Sequence, residues 1–104
     1  MPFKKIQKEV NDWISRYEIG YWKPLEMLAA LTEEVGEVAR ELNHRFGPKK
    51  KKATEVKANL EGELADIIYA VVCIANSQKI DLDAAWKKLM KKLNTRDKDR
   101  WEKK

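Results

Sequence analysis

The stretch "LTEEVGEVAREL", residues 31–42, decides how the chain is read. Leu31, Val35, Val38 and Leu42 recur at spacings of three and four, the period of one helical face. Among them stand Glu33, Glu34, Glu37 and Glu41, with Gly36 in the middle. Like charges at helical spacing repel, and a mid-helix glycine costs roughly 1 kcal/mol relative to alanine. A second stretch, "EGELADIIYAVVCIAN" at 61–76, sets Glu63 and Asp66 at the entry to an apolar run. The two stretches predict a helical hairpin with carboxylates on both arms.

The hairpin extends outward into an all-α chain. Pro24 opens the first arm, which runs to about Phe46 with Leu28, Leu31, Val35, Val38 and Leu42 as its core face; "GPKKKK" breaks it. The second arm is expected from about Ala53 or Thr54 to Asn76. Before them, Phe3, Ile6, Val10, Trp13, Ile14 and Tyr17 predict a helix from Pro2 to about Glu18, stopped by Gly20. After them, Asp81 is a plausible N-cap for a helix with Leu82, Ala85, Trp86, Leu89 and Leu93 on one stripe. The tail from about residue 95 is expected to be partly ordered. With 104 residues and four glycines, the chain reads as one domain, 1–104, an antiparallel bundle of about four helices. From Leu64 to Ala75 the second arm is apolar nearly all round and needs cover on every side, so homo-oligomerisation is expected to complete the bundle.

Composition narrows the function. Hydrophobic residues make up 43 %, which excludes a disordered chain. The formal charge of +5 is mildly basic, with lysines gathered at Lys49–Lys52 and in the C-terminal "KKLNTRDKDRWEKK". A basic helical nucleic-acid-binding module is the alternative this charge offers, but the lysines occupy a loop and a tail, and the carboxylates would repel phosphate. Cys73 is the single cysteine, inside an apolar run, and reads as a structural thiol. "MPFKKIQKEV" has no apolar signal region, and "IIYAVVCIA" is far short of the ~20 residues that span a bilayer; a cytoplasmic protein without membrane association is expected.

Glu34 and Glu37 are three residues apart, as are Glu63 and Asp66, so each pair shares a helix face. Counted from the connecting loop, both pairs fall at ~14 Å in an antiparallel hairpin. Four carboxylates meeting beside an apolar run need a cation, and no lysine on either arm lies at that height. Carboxylate oxygens suit the hard ions Mg²⁺ and Mn²⁺. A di-iron site would require a second ExxH motif, and His44, in "ELNH", is the only histidine.

"EEVGE" followed by "EGELADIIYAVVCIAN" resembles the MazG-type nucleoside triphosphate pyrophosphohydrolases of the all-α NTP pyrophosphatase superfamily, whose signature is ExxE on one helix and ExxD on the next. The likeness extends from about Val10 to Trp101. It implies a helical homodimer or homotetramer with active sites near the subunit interface. It also implies Mg²⁺-dependent cleavage of a nucleotide to the monophosphate and pyrophosphate. By this resemblance Glu34, Glu37, Glu63 and Asp66 are metal ligands, and Glu33 and Glu34 are candidates to orient or deprotonate the attacking water. Lys92 and Arg96 are the candidates for the leaving phosphates, with Lys49–Lys52 a possible flap. Trp22 and Tyr69 are candidates to stack on the base, and Asn76 to bond phosphate or sugar. A non-catalytic nucleotide-binding member is the remaining alternative; all four ligand positions are acidic here.

Overall fold

The computed structural model describes residues 2–48 and 59–104. These form four α-helices: α1 (Pro2–Ile14), α2 (Pro24–Phe46), α3 (Leu60–Ser77) and α4 (Leu82–Thr95). The expected flap, Lys49–Lys52, lies outside the described residues.

Two helix boundaries differ from the sequence reading. α1 ends at Ile14 rather than near Glu18. Ser15 folds its hydroxyl back onto the Asn11 carbonyl, and Arg16 and Tyr17 donate to carbonyls three residues earlier, tightening the chain out of the α-helix. The turn closes at Gly20, whose φ of +62° a residue with a Cβ rarely adopts. α3 begins at Leu60, not near Ala53, because Asn59 has extended backbone and its side chain accepts the Gly62 amide. Glu63 therefore stands three positions into its helix, and the equal-height count does not hold.

α2 and α3 make the main packing pair, α1 lies on α3, and α4 is held by α1. The face α2 turns toward α3 keeps only part of the expected one, Leu31 and Val38. Met27 is buried and Leu31 and Val38 are half-buried, whereas Leu28 and Val35 are half exposed. Around the helix, Glu34 and Glu41 fall beside Met27, Leu31 and Val38, so the inward stripe carries the carboxylates. Leu28, Val35, Leu42 and Phe46 make a second apolar face, open to solvent in the single chain. Gly36 has no atom within 4 Å of where a Cβ would stand, so within this chain no helix approaches closely there.

The other joints are polar. Gln7 donates to Asn76 Oδ1 and to the Ile80 carbonyl and accepts from the Leu82 amide. Asn76 returns a bond to the Gln7 carbonyl. Asp83 accepts from the amides of Phe3 (3.1 Å) and Lys4 (3.0 Å), capping α1 from another helix, and the Phe3 ring lies 5.8 Å from Trp86. The fully enclosed apolar core is small: Met27, Ala70, Val72, Cys73 and Ala75. The radius of gyration is 17.3 Å, against about 13 Å for a compact domain of this length.

Candidate functional site

α2 and α3 bring three carboxylates together. Oxygens of Glu34, Glu63 and Asp66 lie within 4.8 Å of one another, Glu34 and Glu63 half-buried and Asp66 exposed. Burial raises the Glu34 carboxyl above its ordinary range, and Asp66, Glu63, Glu37 and Glu33 push it the same way. Glu63 is raised by burial first, then by Glu37, Asp66 and Glu41. Hard oxygen donors on two rigid helices, with like charges this close together, fit a divalent cation and relieve their repulsion by holding one. Among the described residues, no histidine or cysteine joins the group.

Glu37 is not in this trio. It is exposed, one turn along α2, near enough to act on Glu63. Glu41, which reads from sequence as outside the site, is buried; it pairs with Arg45 at 3.4 Å and its charge reaches Glu63. Glu33 faces away: it lines a second, more open cavity with Ile19, Trp22 and Glu26.

The carboxylates stand at the edge of a cavity of about 360 Å³. Glu34 and Asp66 line one part of it, and Tyr21, Trp22, Met27, Tyr69 and Cys73 line the rest. Trp22 and Tyr69 thus border the space that the carboxylates border. The Tyr69 phenol is pushed up to about 12, by burial and by donating to the Cys73 sulfur, while Trp13 bonds to it in opposition. Burial likewise pushes the Cys73 thiol up, and the Tyr69 bond partly offsets this. The structure turns Asn76 elsewhere. Besides its bonds with Gln7, it donates to the Tyr21 hydroxyl, which in turn donates to Asn11. Asn76 therefore positions a cavity wall without lining the cavity. Tyr21 and Gln7 have no periodic signal in the sequence; only the nearby aromatic Trp22 and the turn glycine hint at Tyr21. Lys92 and Arg96 are exposed on and just after α4 and do not line the cavity, and Arg96 contacts Asp97 at 3.2 Å.

Residues 23–101 match the MazG nucleotide pyrophosphohydrolase domain. The chain belongs to the MazG family. The MazG match spans α2, α3 and α4, including all three clustered carboxylates. The chain is 52 % identical over 101 residues to the uncharacterized protein YpjD of Bacillus subtilis, covering 97 % of this chain and 91 % of that protein. A crystal structure of YpjD, described as a candidate pyrophosphatase, superposes with a TM-score of 0.80 at 49 % identity, over 89 % of this chain and 95 % of that one. A MazG protein common to Bacillus, described as a nucleotide pyrophosphohydrolase, superposes at 0.78 with 45 % identity, over 93 % and 94 %. As a MazG nucleotide pyrophosphohydrolase the chain is a hydrolase, and its all-helical fold is the one these relatives share. No helix among the described residues is long and apolar enough to cross a membrane.

Proposed function

We propose that the chain hydrolyses a nucleoside or deoxynucleoside triphosphate between the α and β phosphates, releasing the monophosphate and pyrophosphate, with Mg²⁺ as the physiological ion and Mn²⁺ as a substitute. The observation that carries this reading is a carboxylate trio opening onto an aromatic-walled cavity of nucleoside size. Glu34, Glu63 and Asp66 form the core of the metal site, and Glu37, whose charge acts on both Glu34 and Glu63, is the fourth ligand. A cation held there would neutralise phosphate oxygens and lower the pKa of a bound water. Glu34, raised by burial and by its neighbours, is suited to accept the water's proton. Trp22 and Tyr69 take the base between apolar walls. Lys92 and Arg96 bind the leaving phosphates. The protein acts in the cytoplasm as a homodimer or homotetramer, clearing unwanted nucleotides from the pool. The open outer face of α2 supports the assembly.

The test is direct. Incubation with each common and deoxy triphosphate, with and without Mg²⁺, is expected to give equimolar monophosphate and pyrophosphate only with metal. Diphosphate and orthophosphate as products would overturn the α–β assignment.

A further inference from the structure

One wall of the cavity is a loop. Between the end of α1 and the start of α2, Tyr21 and Trp22 line the space. Among the described residues, neither has a main-chain amide or carbonyl bonded to another backbone group. Packing does not fix the segment either, since Ile19 is 75 % exposed and Trp22 54 %. What ties the loop to the body of the protein is the Tyr21 hydroxyl.

That hydroxyl is used up inside the protein. It donates to Asn11 Oδ1 at 2.9 Å and accepts from Asn76 Nδ2 at 3.0 Å. Asn76 is itself fixed. Its amide nitrogen also donates to the Gln7 carbonyl at 2.9 Å, and its oxygen accepts from Gln7 Nε2 at 2.9 Å. Gln7 in turn donates to the Ile80 carbonyl at 2.8 Å and accepts from the Leu82 amide at 3.1 Å. The bonds run from the loop to α1, to α3 and to the first residue of α4, with a partner for every polar atom of the Gln7 and Asn76 side chains. A network satisfied at each member is rigid. With its proton given to Asn11 and its oxygen engaged by Asn76, Tyr21 offers the cavity its ring and not its hydroxyl.

The carboxylates are set by other means, Glu34 by α2 and Glu63 and Asp66 by α3. We infer that Tyr21 is a nucleoside-contacting residue, and that Asn11 and Asn76 are positioning residues that act through it, holding the ring against the nucleoside of the substrate and leaving the carboxylate half untouched. A ring held in place before the ligand arrives spares the cost of ordering the loop on binding, so the bonds to its hydroxyl set affinity and not the rate of the chemical step. This rests on the pyrophosphohydrolase reading.

Steady-state kinetics with Mg²⁺ and the best-cleaved triphosphate tests it. Asn11 is exposed on α1, and Tyr21→Phe keeps the ring, so Asn11→Ala and Tyr21→Phe should both keep the helical content and a Tm near wild type. Each is expected to raise KM about three- to tenfold while kcat stays within about twofold. The double variant should raise KM no more than Tyr21→Phe alone, because both changes remove the same bond. Asn76→Ala should raise KM as well and also lower Tm, since it strands the groups of Gln7. An unchanged KM in Asn11→Ala and Tyr21→Phe would overturn the inference. So would a loss carried by kcat alone, or additive KM effects in the double variant. A wild type that cleaves no triphosphate sinks the pyrophosphohydrolase reading itself. The wall is then tested by the Kd of a non-hydrolysable nucleoside triphosphate, where weaker binding by Tyr21→Phe supports it, and equal binding, or none by the wild type, overturns it.

Discussion

Replacing Glu34 with glutamine should move stability in opposite directions with and without divalent metal. In the metal-free protein the Glu34 carboxylate lies within 4.8 Å of oxygens on Glu63 and Asp66. The contact with Asp66 alone opposes folding by about 0.9 kcal/mol in a water-like dielectric. An amide of the same shape removes that repulsion, so the metal-free variant should melt a few degrees above wild type, since about 1 kcal/mol moves Tm by 4–8 °C at this size. With metal the order reverses. Metal at a hundred times its Kd stabilises by about 2.7 kcal/mol, or about 11–22 °C, and the variant should lose most of that gain. The metal-free wild type has a matching pH dependence. Glu34 and Glu63 are both raised above 4.5, so the folded state holds more protons than the unfolded one. Metal-free stability should therefore fall as pH climbs from about 4.5 through the raised folded values, then level off. Saturating Mg²⁺ should flatten that slope. Calorimetry at one protein concentration, with chelator or with Mg²⁺, measures all three effects. A variant that melts lower without metal and keeps the full metal-induced gain would show that Glu34 packs the hairpin and holds no ion.

Three further outcomes are expected. Asp83→Ala removes both bonds that cap α1 and should cost about 2 kcal/mol, with Asp83→Asn nearer to 1; equal Tm values for all three proteins would mean α4 is not anchored there. Cys73 is buried with its thiol pushed up, so iodoacetamide at pH 8 should label it only on denaturation, and fast labelling of the native protein would contradict its burial. Gly36→Ala should stabilise by about 1 kcal/mol in the single chain, where a Cβ meets nothing. Gly36→Leu should lower the oligomer mass if a second chain packs on that face, and an unchanged mass would free the face from the interface.

How far the sequence could be read depends on which physical signal each residue bears. Periodicity found three of the four helices through an apolar stripe and the other through its long apolar run, and composition favoured helices over strands. Boundaries were less legible: Ser15 and Asn59 end one helix and start another through side-chain bonds to the backbone, which leave the hydrophobic period untouched. The choice of face on α2 could not be read at all from apolar spacing. Leu28, Val35 and Leu42 fit an inward stripe as well as Met27, Leu31 and Val38 do, and only contact with α3 separates them. That ambiguity bears on the site. A helix with two usable apolar faces can spend one on a partner and turn the other, interrupted by Glu34 and Glu41, toward α3. Burying Glu41 beside Arg45 while leaving Glu37 exposed is unfavourable for packing alone, since a leucine at 41 would extend the Met27–Leu31–Val38 stripe at no electrostatic cost. A carboxylate in that place makes sense where the inner face must hold charge near Glu63. The glutamates that looked alike in "LTEEVGEVAREL" thus divide by azimuth, with Glu34 in the trio, Glu41 behind Glu63, Glu37 at the rim and Glu33 on the far cavity.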